Sequence, residues 1–212
     1  MNLLSYSEGP CWGIVGPWGH HYPDAGIPGP SINFQAEALR WWDRWLCGHQ
    51  NGLEDEPKLR VWRQEYVPPQ NKILERPGSW ISENQWPSPN VTPRTYRLGT
   101  GSLSDSAEGD REKTAFVPNS LRIGSASGDT GYFGRDGGLP LDQREDDALS
   151  LVFDTVPLES PIDILGNAVV NVTLEVDQPV ATLVVRLNDV APDGTSSRVT
   201  FGICNLSLGQ GE

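Results

Sequence analysis

The stretch ATLVVRLNDVAPDGTSSRVTFGIC, residues 181–204, decides the fold class of this chain. Apolar side chains recur at every second position from Leu183 to Leu187 and again from Val199 to Ile203, which is the period of a half-buried strand. Between the two runs lies Pro-Asp-Gly at 192–194, where proline presets φ and glycine tolerates a positive φ. The stretch therefore predicts two strands joined by a turn.

Other short β-type runs precede this one. The run from Val170 to Val176 shows the same alternation, and residues 58–65 and 93–98 are further predicted strands. The polar, Gly-rich stretch 99–138 contains no convincing element. Strands at this spacing, without helices between them, indicate a sandwich rather than a parallel α/β sheet. The predicted fold class is therefore mainly β.

The first fifty residues have a different pattern. Residues 11–15 form a short apolar run closed by Gly16-Pro17, which predicts a buried strand followed by the loop 18–30. A helix capped by Ser31 and ended near Gly48 is predicted next. Its apolar positions, at three- and four-residue spacing, are Phe34, Ala38, Trp41, Trp42, Trp45 and Leu46. The three tryptophans of this helix are interpreted as core residues.

Composition excludes several classes of function. The chain has 212 residues, with 28 acidic and 16 basic side chains and a net charge of −12, so binding to nucleic acid or to an anionic membrane is disfavoured. No apolar run approaches the roughly 20 residues of a membrane span. The three cysteines, Cys11, Cys47 and Cys204, lack metal or redox spacing and indicate a reducing compartment. We therefore expect a cytoplasmic protein without metal or cofactor.

Three histidines are candidates for proton transfer. His20 lies in the predicted loop just past a predicted strand, where an imidazole with a pKa of about 6.5 can act as a general base. The alternative is a solvent-exposed turn histidine. His21 is expected to point elsewhere, and His49 ends the helix, where a cation meets the negative end of the helix dipole.

A serine nucleophile is absent from the sequence. In α/β-hydrolases the nucleophile lies within G-x-S-x-G, and the nearest string, GSASG at 124–128, has alanine at the central position. The string also follows His20, which is the wrong order. The neighbouring carboxylates of Glu145, Asp146 and Asp147 are interpreted as a solvated acidic turn.

Three segments are informative together: GPWGH at 16–20, EALRWWDRWL at 37–46 and NDVAPDG at 188–194. They resemble the X-Pro dipeptidyl-peptidase and cocaine esterase family of serine hydrolases, in an order that matches along nearly the whole chain. The resemblance implies that residues 1–52 are the last strand, loop and helix of an α/β-hydrolase domain. Residues 53–212 would be a C-terminal jelly-roll β-sandwich that is expected to be unfinished.

The same resemblance implies a function for one residue. His20 corresponds to the catalytic histidine of a Ser-His-acid triad, whereas the serine and the acid are missing from this chain. We therefore expect the C-terminal part of a hydrolase for small ester, amide or Xaa-Pro dipeptidyl substrates, inert alone and prone to self-association through open sandwich edges. The alternative is a non-catalytic β-sandwich module that binds sugars or proteins through exposed tryptophans.

Overall fold

The computed structural model of the protein describes residues 2–105, 114–117, 120–129 and 136–207. Strands predominate over helices. The helices are α1 (Asn2–Tyr6), α2 (Phe34–Trp45) and α3 (Arg144–Asp147). The strands are β1 (Gly13–Val15), β2 (Leu59–Gln64), β3 (Gly78–Glu83), β4 (Arg97–Leu98), β5 (Leu103–Ser104), β6 (Thr182–Val190) and β7 (Ser196–Asn205). The mainly β fold class is thus confirmed.

One three-stranded sheet lies at the centre of the first half of the chain. Strand β2 pairs in parallel with β1, Gly13 opposite Leu59, and antiparallel with β3. Leu59 is fully buried and belongs to the small apolar core. Because β1 precedes residue 52 and the other two strands follow it, the predicted division between residues 1–52 and 53–212 falls between paired strands. That division stays a prediction.

Helix α2 forms as its apolar spacing predicts, but its cap differs. The helix begins at Phe34, and the side-chain oxygen of Asn33 accepts a hydrogen bond from the Ala36 N–H at 3.0 Å. The prediction of Ser31 as the cap is wrong, because only the residue directly before the first turn can reach these free N–H groups. Gly48, in the left-handed region at φ 74°, follows the helix as predicted.

The tryptophans of α2 divide into two faces. Trp41 and Trp45 pack on Trp12, with ring centroids 5.6 and 6.2 Å from the Trp12 ring. Trp42 is instead 53% exposed, so its prediction as a core residue is wrong. Trp42 directly follows Trp41, and side chains one residue apart on a helix do not share a face.

The predicted strands of the second half form in part. Strands β6 and β7 pair from Thr182 opposite Asn205 to Val190 opposite Ser196, and the turn glycine, Gly194, has a φ of 84°. The strand predicted from Val170 to Val176 is wrong, because no other described strand lies beside it to supply hydrogen bonds.

Two shorter elements also depart from the predictions. Of the strand predicted at 93–98, only the two residues of β4 form, paired with β5. Strand β5 lies in the stretch 99–138, where no convincing element was expected. The described strands make three separate sheets of three, two and two strands, so the jelly roll stays a prediction. No helix in the described parts of the chain is long and apolar enough to cross a membrane.

Candidate functional site

His20 lies in a Gly- and Pro-rich loop that begins directly after β1. We call residues 16–30 the His loop. The side chain of His20 is exposed, and the backbone on both sides of it is hydrogen-bonded within the loop. The Gly19 N–H donates to the Ile27 carbonyl at 2.9 Å, and the His21 N–H donates to the Gly19 carbonyl at 2.8 Å. The imidazole of His20 is therefore presented from a closed loop.

Trp18 fills the inside of the His loop. Its indole N–H donates to the Pro30 carbonyl at 2.7 Å, and its ring lies against the backbone of Gly16 and Gly26. A Cβ atom would lie 2.3 Å from the ring at Gly16 and 2.1 Å from it at Gly26. Only glycine fits at either position, since real Cβ contacts are never that close. The Gly-Pro-Trp sequence before His20 therefore has a packing function.

The His loop is also bound to the segment before β3. The Gly29 N–H donates to the Leu74 carbonyl at 2.7 Å, and the Arg76 N–H donates to the Gly29 carbonyl at 2.9 Å. The carboxylate of Glu75 lies against Gly29, where a Cβ would be 2.3 Å from its Oε2. The guanidinium of Arg76 is half-buried, and this burial lowers its pKa. Residues from both predicted domains thus fix the loop.

His21 faces a carboxylate that sequence reasoning did not connect to it. Its Nε2 lies 3.6 Å from Oδ1 of Asp136, and only 10% of the His21 side chain is exposed. The Lys72 ammonium donates to the other Asp136 oxygen at 2.7 Å and is the main reason why the pKa of this carboxyl is lowered. No local signal could have found the contact, because 115 positions separate His21 from Asp136.

His49 lies in an exposed position shortly after α2. Its backbone N–H donates to the Asp43 carbonyl at 2.9 Å, which closes the end of the helix. This placement agrees with the structural role that the sequence predicts. The described residues contain no group of three or more His, Cys, Asp or Glu side chains that could hold a metal ion.

A second polar centre lies near the turn of the β6–β7 hairpin. Asp146 is fully buried, so its interpretation as part of a solvated acidic turn is wrong. Its Oδ1 accepts the Gly124 N–H at 2.9 Å, and its Oδ2 accepts the Ala126 N–H and the Arg186 guanidinium, both at 3.2 Å. A carboxylate can be buried here because each oxygen receives donors, one of them charged.

Asp147 extends the same network onto both strands of the hairpin. It accepts hydrogen bonds from Arg186 at 3.0 Å, from Asn188 at 3.1 Å and from the Ser196 hydroxyl at 2.6 Å. We call Asp146, Asp147, Arg186, Asn188 and Ser196 the aspartate cluster. Sequence reasoning missed it, although the NDVAPDG segment contains Asn188 and ends two residues before Ser196.

The aspartate cluster is built to hold structure together. The oxygens of Asp146 are occupied by backbone and guanidinium donors, so this carboxylate has no free position for a substrate or a proton relay. The turn at Gly124–Ala126 presents its N–H groups to this carboxylate, as a backbone anion nest does. The GSASG string therefore binds a side chain of its own protein and is not a nucleophile turn.

A cavity of about 90 Å³ lies between α2 and the three-stranded sheet. Its polar lining is Glu37, Glu56 and Arg60, and these charges already pair with one another and with Arg40. Pockets for small-molecule ligands are typically about 300–1,000 Å³. This cavity is too small for an acyl substrate.

The comparisons with known proteins agree on one family. The family of X-Pro dipeptidyl-peptidase C-terminal non-catalytic domains matches residues 51–211. A predicted serine esterase of Mycobacterium bovis is 26% identical over 197 residues, which cover 89% of this chain and 30% of that protein. Cocaine esterase of Rhodococcus is 23% identical over 216 residues, which cover 91% of this chain and 35% of that enzyme. No solved structure matches.

A predicted Xaa-Pro dipeptidyl-peptidase of Bacillus cereus is 27% identical over 163 residues, 75% of this chain and 24% of that protein. The chain thus spans about a third or less of the length of the curated relatives it matches. The esterase alignments cover more of the chain than the three-quarters or so that residues 51–211 make up, so they extend into the residues before 51.

Proposed function

The chain belongs to the family of X-Pro dipeptidyl-peptidase C-terminal non-catalytic domains, and we propose that it is the C-terminal part of a serine hydrolase. In this proposal His20 is the histidine of the catalytic triad. The serine, the acid and the oxyanion donors belong to polypeptide that precedes the chain in the complete protein. The esterase alignments support this, because they include residues upstream of the matched domain.

The observation that carries the proposal is the construction of the His loop. A triad histidine must reach a serine hydroxyl with little freedom, since a misplacement of about 1 Å can cost about a hundredfold in rate. His20 follows a strand that pairs in parallel with its neighbour, and its loop is closed by backbone hydrogen bonds around Trp18. An exposed imidazole in such a fixed loop suits proton transfer better than a histidine in an ordinary surface turn would.

The chemistry assigned to His20 is acyl transfer. The serine oxygen attacks the ester or amide carbonyl carbon while its proton moves to the imidazole of His20. The tetrahedral adduct then expels the alcohol or amine, which takes the proton from His20 as the bond to the acyl carbon breaks. Water repeats the sequence on the acyl-enzyme with the same histidine as base. His20 ends each turnover neutral, and no electrons are exchanged with a cofactor.

The rest of the chain would support this site. We assign residues 1–52 to the end of an α/β-hydrolase domain and residues 53–212 to a jelly-roll sandwich, to which β6 and β7 contribute two strands. The substrates would be small esters, amides or Xaa-Pro dipeptides, and the net charge of −12 opposes nucleic acid as a partner. A cytoplasmic location fits the three free cysteines.

The test is to sequence the gene upstream of Met1, express the complete protein and treat it with a fluorophosphonate probe. We expect G-x-S-x-G followed by an acid, and labelling of that serine together with hydrolysis of an ester or Xaa-Pro substrate. The 212-residue chain alone should not react. An upstream sequence without a hydrolase nucleophile would contradict the proposal and favour the non-catalytic binding module.

A further inference from the structure

The residue after His20 makes a contact that the proposed mechanism does not use. The side chain of His21 is nine-tenths buried, and its Nε2 lies 3.6 Å from Oδ1 of Asp136. This separation is longer than a hydrogen bond, so the contact is electrostatic and needs a protonated imidazole. His21 thus links the His loop to a segment more than a hundred residues further along the chain.

Asp136 is itself held in place. The Lys72 ammonium donates to it at 2.7 Å, and the neighbouring Asn71 binds the residues that follow. The Leu139 N–H donates to the Asn71 carbonyl at 3.0 Å, and the Gly138 N–H donates to the Asn71 side chain at 3.5 Å. The Asp136 carboxylate therefore has a fixed position relative to residues 71 and 72.

The same short segment also binds the far end of the His loop. Two residues beyond Lys72, the Leu74 carbonyl accepts the Gly29 N–H, and Gly29 in turn accepts the Arg76 N–H. Residues 71–76 therefore hold the loop at Gly29 through its backbone and, by way of Asp136, at His21 through its side chain. Both attachments lie between Trp18 and Pro30, the two residues whose hydrogen bond closes the loop.

We propose that Asp136 is a positioning residue for His20, which it orients by holding the adjacent imidazole of His21. His20 and His21 share a peptide unit, and the His21 N–H is bonded to Gly19, so a fixed His21 side chain restricts the backbone that carries His20. The family matched by residues 51–211 is described as non-catalytic. In this protein that domain would set the geometry of a catalytic loop. The inference rests on the function proposed for His20.

The first test measures amide hydrogen exchange by NMR on the 212-residue chain at a mildly acidic pH. We expect Asp136→Asn to speed amide exchange at Gly19 and His21 about fivefold. This factor corresponds to the loss of an ion pair at the strong end of the range for partly exposed pairs. Asp136→Glu should keep the wild-type rates. The control Asp163→Asn removes the exposed carboxylate that pairs with Arg63 and should leave both amides unchanged.

Unchanged exchange in Asp136→Asn would overturn the inference. So would equal acceleration in β2, because that result shows general loosening of the fold. In the complete enzyme we expect Asp136→Asn to lower kcat about fivefold with KM unchanged, and Asp136→Glu to restore it. A faster-exchanging loop with wild-type kcat would reduce Asp136 to a structural residue. Failure of the proposed function would instead appear as wild-type activity in His20→Ala, which the exchange rates do not affect.

Discussion

The His loop and the far end of the β6–β7 hairpin differ in how they are supported. The loop has no regular secondary structure except one short 3₁₀ turn, yet a half-buried indole, backbone hydrogen bonds and two outside segments hold it. The far end of the hairpin is regular, but its apolar side chains face outward: Val184, Phe201 and Ile203 are 50%, 50% and 64% exposed. Regular secondary structure is thus a poor guide to which part of this molecule is well held by contacts with the rest.

The hairpin itself shows the same contrast along its length. Near its turn, Arg186, Asn188 and Ser196 bind the carboxylates of the aspartate cluster. Beyond them, Val184 and Ile203 lie opposite each other and the described residues leave this end largely uncovered. The part of the hairpin that other described residues contact is therefore the part that belongs to the aspartate cluster.

The largest expected effect on stability comes from the aspartate cluster. Asp146→Ala removes the carboxylate that pairs with Arg186 and leaves a charge 11% exposed without that partner. Breaking a buried ion pair in this way costs about 3–5 kcal/mol, so the urea midpoint should fall steeply or the chain should not fold. Asp105→Ala, which breaks an exposed pair with Arg94, should change little. Equal urea midpoints for the two variants would contradict the claim that the aspartate cluster stabilises the fold.

A smaller effect is expected within the His loop. Gly16→Ala places a methyl group 2.3 Å from the Trp18 ring, and the ring or the backbone must move. Such overpacking costs about 1–3 kcal/mol of unfolding free energy, measured by thermal unfolding with tryptophan fluorescence as the probe. Gly9→Ala is the matched control, because nothing lies within 4 Å of its added Cβ. A fully stable Gly16→Ala variant would show that the loop is looser than its contacts indicate.

The open end of the hairpin should cause self-association. We propose that a second copy covers Val184, Phe201 and Ile203, since the described residues leave one edge of both β6 and β7 unpaired. Ile203→Glu should weaken association by at least about tenfold in sedimentation equilibrium. Leu121→Glu, at a fully exposed leucine elsewhere, should not. A monodisperse wild-type monomer with a cooperative melt well above about 50 °C would count against this proposal.

The smallest expected effect is a loss of stability in acid. Hydrogen bonds from the Arg144 side chain, and from the backbone N–H groups of Arg144 and Ser196, lower the pKa of Asp142 below its ordinary 3.8. A carboxyl with a depressed folded pKa stabilises the protein above its unfolded pKa and loses that contribution as pH falls through the folded one. Asp142→Asn should therefore flatten the dependence of unfolding free energy on pH below about 4. An unfolding free energy of Asp142→Asn that depends on acidic pH as the wild type does would contradict this.

The sequence predicted elements that depend on nearby residues. Helix α2 and strands β1, β2, β6 and β7 follow from short-range periodicity, and the turn at Gly194 follows from its residue types. The predicted strand at 170–176 did not form, since a strand also needs a neighbour that no local pattern reveals. Trp42 was misassigned because apolar spacing identifies a helix more reliably than it identifies which apolar residues are covered.

Contacts at the two polar centres could not be predicted for a related reason. Asp146 meets Gly124 and Arg186 across 22 and 40 positions, and His21 meets Asp136 across 115. A run of acidic residues has the same composition whether it is solvated or buried against donors. The triad role expected for His20 came from a family resemblance, which carries long-range information that a single sequence does not display.

The most direct test of the account is the activity of His20→Ala in the complete protein, with His49→Ala as the matched histidine control. We predict that His20→Ala lowers kcat for ester hydrolysis by up to about 10⁶-fold, as loss of a triad histidine does in subtilisin, while His49→Ala leaves kcat unchanged. Activity of His20→Ala within about tenfold of wild type would contradict the assignment of His20 as the catalytic base.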